Sequence, residues 1–157
     1  MIIKPIRIKI PIPRNVFSIL PKMEFAVELV FYFIDEDKSL FLDLLNKARM
    51  ESGLSQAAIS RLINIDKGQF GRVLKGKRGS GELTKYAVVG IAVLANWDVD
   101  QIQEILGLIG ESLSGSNDKD LLILQVQSEC QLDGEQLYYT INQELKNHGF
   151  LQLVQQK

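Results

Sequence analysis

Between Asp66 and Arg78 the chain sets five cationic side chains and one amide at spacings that helical winding would gather together: Lys67, Gln69, Arg72, Lys75, Lys77 and Arg78. Lysine and arginine neutralise phosphate, and an arginine can also donate two parallel hydrogen bonds to the edge of a guanine. The chemistry on offer is recognition of a phosphodiester backbone and of base edges. The other reactive residues stand alone. His148 is the only histidine and lies beside Gly149, where a cation near a helix C-terminus is an ordinary cap. Cys130 is the only cysteine, which excludes a disulfide framework and a thiolate metal cluster, and is expected as a small buried hydrophobe. Asp35, Glu36 and Asp37 precede Ser39, and three adjacent acids suit a helix start better than a metal. The chain shows no phosphate-binding glycine loop, zinc spacing or nucleophile elbow. Neither an enzyme nor a cofactor is expected.

The elements that must position the cationic group read without a gap from Leu54 to Arg78. Ser55 can cap a first short helix, with Gln56 at its positive end. Ile59, Leu62 and Ile63 then bury one face. Asn64 stands at a turn that needs a residue tolerant of positive φ. Asp66 and Gln69 form a D-x-x-Q capping box that starts a second helix. Phe70, Val73 and Leu74 anchor its inner face, leaving Lys67, Gly68, Gly71, Arg72 and Lys75 outward, and Gly76 ends it.

This block resembles the lambda-repressor-like (Cro/repressor, Xre-type) helix-turn-helix family. The resemblance rests on Leu54-Ser55-Gln56, Ile59-Ser60, Asn64, Ile65-Asp66 and Lys75-Gly76-Lys77-Arg78. It extends upstream to a helix over roughly Ser39–Ser52, with Leu44, Leu45 and Ala48 inward. Downstream it reaches Ile91–Ile102, a fourth helix, a short turn and a fifth helix capped by Asp98 and Gln101. The chain departs from the family at Leu74, where a glutamate is common, and at Gly68 and Gly71. Each glycine weakens the helix by about 1 kcal/mol against alanine, but would let its backbone approach a groove floor closely. IDKGQFGR and AVLANWDVD also resemble matching segments of short phage activators controlling lysogeny.

The resemblance implies a mainly α fold: a five-helix helix-turn-helix domain with an extended N-terminal segment and a C-terminal helical hairpin. It also implies a DNA-binding site of Gln56, Lys67, Gly68, Gln69, Gly71, Arg72, Lys75, Lys77 and Arg78. Gln56 would donate to phosphate and brace the next helix, and Lys67 and Arg72 would reach base edges. Gly68 falls where the family often has a base-reading side chain, and Gln69 is better spent on its capping box. Lys75, Lys77 and Arg78 would bind phosphate and set the register. The partner implied is double-stranded DNA, bound by a homodimer on a two-fold site.

Charge agrees with a local interface. Net charge is −1, yet from Leu44 to Arg78 eight basic residues face two acids, whereas from Glu82 onward four basic residues face eleven acids. With 157 residues the chain can hold one well-buried domain and an appendage. The expected organisation is an extended arm or packing segment over 1–36, the DNA-binding domain over 37–110, a Gly/Ser linker over 111–118, and a hairpin over 119–157. Ile6, Ile8, Ile10 and Ile12 alternate with polar residues and prolines, which suits an edge strand or a basic arm. Phe25–Ile34 fits either a strand or a short helix. It is too short to span a bilayer, the N-terminus is a poor signal peptide, and a reducing cytoplasm fits.

In the hairpin, Asp133 and Gln136 suggest another capping box, Leu137, Ile141 and Leu145 form an apolar stripe, and Phe150–Val154 suits a short strand. It either forms a dimerisation or partner surface or folds back on the first domain. The functional expectation is a sequence-specific transcriptional regulator. The alternatives are a protein-interaction adaptor, or an antitoxin, using an acidic C-terminal hairpin on a helix-turn-helix scaffold.

Overall fold

No glycine or proline interrupts the chain from Met23 to Ser52, and this whole stretch is one helix. In the computed structural model, residues 23–77 and 81–155 are described, with residues 23–35 as backbone. The arm or strand expected over 1–22 and the side chain of Arg78 lie outside the described residues. Seven helices are described, and no strand: α1 (Met23–Ser52), α2 (Gln56–Leu62), α3 (Lys67–Leu74), α4 (Lys85–Leu94), α5 (Val99–Gly107), α6 (Asp118–Glu129) and α7 (Gly134–Asn147). The chain divides into two units, Met1–Lys38 and Ser39–Lys157.

α1 therefore starts well before Ser39. Phe25–Ile34 is helical, and the three acids Asp35, Glu36 and Asp37 stand inside the helix and not at its start. Glutamate is a good helix former, and nothing in the run breaks the winding.

Within the second unit, α4 is the axis of the core. Every residue from Ala87 to Leu94 is buried, as expected of a helix that is apolar all round. Leu45 and Ala48 of α1, Ile59 of α2, Phe70 of α3, Ile102 and Leu106 of α5, Ile123 of α6, and Leu137, Ile141 and Leu145 of α7 join it in one cluster. α7 packs on both α4 and α6. The hairpin thus packs on the preceding helices.

Residues 111–118 are anchored where a linker was expected. Leu113 is buried, its N–H donates to Gln103 Oε1, and its carbonyl accepts from Gln103 Nε2, each at 2.8 Å. Phe150–Val154 is not a strand. Its backbone is spent on individual partners, with the Leu153 N–H donating to Asn142 Oδ1 at 2.8 Å. Asp133 precedes α7 without a side-chain cap bond, so the expected capping box is not formed there. Cys130 is half-buried against the core edge and not enclosed by it.

A buried polar cluster ties α4 to α6. Asp120 is fully buried; it accepts from Lys85 Nζ at 2.6 Å, from the Tyr86 hydroxyl at 2.7 Å and from the Ser114 N–H at 3.0 Å. Burial opposes the charge on Asp120, but these donors outweigh it and hold the carboxyl below its ordinary range. Burial, then the bond to Asp120, pushes the Tyr86 phenol upward. Lys119 Nζ sits 3.7 Å from the Tyr86 ring centroid, a cation–π contact, and burial lowers its pKa.

Candidate nucleic-acid interface

Two short helices carry the expected site, and their ends are set by local hydrogen bonds. Ser55 Oγ accepts from the Ala58 N–H at 3.1 Å and starts α2. At the other end Asn64 has φ 56°. The Ile65 N–H donates to the Ser60 carbonyl at 2.9 Å, and the Asn64 N–H to the Arg61 carbonyl at 3.3 Å. This pairing is a Schellman stop, which turns the chain within a few residues. Asp66 then accepts from the Gln69 N–H at 3.0 Å and starts α3. α3 ends on a second stop of the same kind, with Gly76 at φ 68° and the Lys77 N–H donating to the Arg72 carbonyl at 3.1 Å.

Phe70, Val73 and Leu74 are buried, so the opposite side of α3 faces outward. Lys67, Gly68, Arg72, Lys75 and Lys77 are exposed, while Gln56, Gln69 and Gly71 are half-buried. Leu74 adds to the core, and its carbonyl accepts from Asn46 Nδ2 of α1 at 3.1 Å, which fixes the distal end of α3.

Each helical glycine has a distinct neighbour. A Cβ on Gly71 would fall 2.7 Å from Gln56 Nε2. Gln56 therefore lies directly over the α3 backbone, in space that any larger residue at 71 would take. A Cβ on Gly68 would fall 3.1 Å from Asp66 Oδ2 and 3.4 Å from Arg72 Nη1. The guanidinium of Arg72 thus lies back along the outer side of α3 toward its N-terminus. Gln69 turns its amide toward the loop before α4, since a Cβ on Gly81 would fall 3.1 Å from its Nε2. Only the Asp66 half of the expected capping box is formed, since the Gln69 amide is turned toward this loop.

α4 and α5 complete the frame. Asn96 takes φ 62° at the end of α4, where the Trp97 N–H donates to the Ala92 carbonyl at 3.0 Å. Asp98 and Gln101 form the full reciprocal capping box of α5, at 2.9 and 3.0 Å. The Trp97 indole donates to Glu51 at the end of α1.

Sequence reading missed the C-terminal segment as a neighbour of this interface. The Gln155 N–H donates to the Ile63 carbonyl, and its side chain reaches Thr84 and Glu82. No local signal could have revealed it, because the partners are 70 or more residues apart in sequence. Away from the interface, Cys130 and His148 line one surface groove between α6 and α7, where His148 Nδ1 lies 2.8 Å from the Glu144 carbonyl oxygen. That contact is the expected helix-end arrangement. No group of three or more His, Cys, Asp or Glu among the described residues is placed to hold a metal. No helix among them is long and apolar enough to cross a membrane.

Comparison with protein-family models, with curated proteins and with solved structures finds no match to this chain.

Proposed function

We propose that this chain is a sequence-specific, double-stranded DNA-binding transcriptional regulator that reads its site through α2 and α3 as a lambda-repressor-like helix-turn-helix. The observation that carries the reading is the outer side of α3. Four exposed cations lie along it: Arg72 and Lys75 stand opposite Phe70, Val73 and Leu74, with Lys67 at the first residue and Lys77 just past the end, on a pair of helices with capped and sharply stopped ends. An α-helix with its side chains is about 10–12 Å across, which suits a major groove about 12 Å wide.

In this reading Arg72 pairs with a base edge, and Lys67 assists. Lys75, Lys77 and Arg78 bind phosphate, and Gln56 donates to phosphate while bracing α3. Gly68 adds no side chain of its own, and the Arg72 guanidinium lies over it, 3.4 Å from where a Cβ would stand. One such module covers little DNA, so a homodimer on a two-fold site is the working form. A cytoplasmic location follows from this role.

A second reading is a protein-interaction adaptor or antitoxin. It is favoured by exposed Leu121, Leu132, Tyr139 and Leu151, all on the acidic C-terminal part of the chain.

Selection from a random duplex pool, followed by titration of the enriched site against salt, separates the two. A two-fold symmetric site with a steep salt slope is expected of the regulator. Arg72→Ala should then narrow the gap between specific and random DNA. Lys77→Ala should weaken both alike and flatten the slope by about one unit. No enriched site and no salt dependence would favour the adaptor.

A further inference from the structure

α3 hangs between two stretches of chain, the turn that ends α2 and the loop that leads into α4, and one residue bonds to both. The Gln155 N–H donates to the Ile63 carbonyl at 2.6 Å, in the turn before α3. Its side-chain oxygen accepts from the Thr84 N–H at 2.8 Å and from the Thr84 hydroxyl at 3.2 Å. Its side-chain nitrogen donates to the Glu82 carbonyl at 2.9 Å, in the loop after α3. Thr84 caps α4 without a side-chain cap bond to its own helix, so the start of α4 is held by Gln155 instead.

A second contact of the same segment reinforces the first. The Tyr138 hydroxyl of α7 lies 2.8 Å from both the Leu62 and the Leu153 carbonyl oxygens, joining the end of α2 to the C-terminal segment. Space for this was cut in the core. A Cβ on Gly90 would fall 3.0 Å from the Leu153 carbonyl oxygen and 3.1 Å from Tyr138 Cε2. Backbone, side-chain and glycine features, drawn from four elements, converge on one strap.

We propose that Gln155 is a positioning residue for α3: together with Leu153 and Tyr138 it holds the chain on either side of that helix and so sets the pose in which its outer side meets DNA. The part concerning DNA rests on the function proposed above; the part concerning α3 does not. It follows that the C-terminal hairpin is a working component of the reading surface, coupled to it through hydrogen bonds to main-chain groups.

The test uses the full chain with Gln155→Ala, which keeps the main-chain bond to Ile63 and loses the side-chain bonds to Thr84 and Glu82, and with Gln155→Glu, which keeps the acceptor for Thr84 but turns a carboxylate oxygen toward the Glu82 carbonyl. Amide hydrogen exchange is read without DNA, and binding to selected and random duplexes is read at fixed salt. Exchange at Phe70, Val73 and Leu74 should quicken about tenfold or more in Gln155→Ala, which loses three side-chain hydrogen bonds, and should quicken also in Gln155→Glu. Exchange in α5 should stay as it was. The preference for the selected site should fall by a similar factor, with the salt slope unchanged. Unaltered exchange in α3, or equal quickening in α5, would overturn the proposal, as would an unaltered preference. If the unmodified chain binds no DNA, the regulator reading falls, and the exchange result alone decides whether Gln155 positions α3.

Discussion

Gly71→Ala should leave stability nearly unchanged and weaken DNA binding. Alanine at a helix interior is worth about 1 kcal/mol over glycine, because less backbone freedom is lost on folding. Against this gain stands the contact with Gln56, whose Nε2 would lie 2.7 Å from the new Cβ. The clashing atom is the far end of a flexible side chain, so Gln56 swings aside at a cost of about 0.5–1.5 kcal/mol. The net change in stability is then small, between about 0.5 kcal/mol of stabilisation and about 0.5 kcal/mol of destabilisation. Removing Gln56 first should release the full gain, so Gly71→Ala in a Gln56→Ala background should stabilise by about 1 kcal/mol. Urea unfolding of the four proteins measures the coupling, expected near 1 kcal/mol. Under the proposed function binding should suffer, because the displaced amide would lose the bond to phosphate assigned to it there, worth about 1.5–3 kcal/mol or tenfold and more in affinity. Titration of all four proteins on one duplex at fixed salt reads that loss, and Gly71→Ala should cost nothing further once Gln56 is gone. Additive stabilities would show that Gln56 does not occupy the space over Gly71. Tighter binding by Gly71→Ala would refute the bracing role of Gln56.

Tyr138→Phe should destabilise by about 1–3 kcal/mol in urea, since two buried carbonyl groups lose a shared donor. Burial pushes the Tyr138 phenol up to about 12 from 10.0, so its stabilising effect is present below pH 10 and is lost as pH rises from there toward 12. Stability curves for Tyr138→Phe should lack that part of the alkaline loss. Asp120→Asn leaves Lys85 without its carboxylate in a site where the two side chains are 1 and 16% exposed, and should cost about 3 kcal/mol or more. The depressed carboxyl of Asp120 contributes stability above its ordinary value of 3.8 that disappears as pH falls below it. An acid titration of stability should therefore be shallower in Asp120→Asn, and an unchanged slope would count against the cluster. Asn64→Ala puts a side chain with no local hydrogen-bonding compensation at φ 56° and should cost about 1 kcal/mol, whereas Asn64→Gly should be tolerated. Thermal unfolding of the pair distinguishes this from loss of a side-chain contact.

The boundaries of α2, α3 and α5 were legible in the sequence because the signals that set them act within five or six residues. Ser55, Asp66 and Asp98 bond N–H groups three residues on, and Asn64 and Gly76 supply the positive φ that stops a helix. The inner face of α3 was equally readable, because Phe70, Val73 and Leu74 repeat at helical spacing. The outward placement of Arg72 and Lys75 follows from that face by geometry alone, whereas Lys67 shares the stripe of Phe70 and Leu74 and is exposed as the first residue of the helix. Asp133 shows the limit of such local rules: it has the right spacing to Gln136, yet α7 starts without its side chain.

Only tertiary structure decided what lies between elements distant in the chain. The Gly/Ser composition of residues 111–118 says nothing of Gln103 bonding both ways to Leu113. The apolar stripe of α7 announces burial but not its partner, and packing on α4 made the hairpin part of the core. The strap from Leu153 to Gln155 and the buried Asp120 with Lys85 and Tyr86 are of the same kind. Helix ends are written in short-range hydrogen bonds that the local sequence determines. The pairing of faces is chosen by which arrangement buries most apolar surface and leaves the fewest main-chain groups unbonded, a property of the whole chain that no window of residues contains.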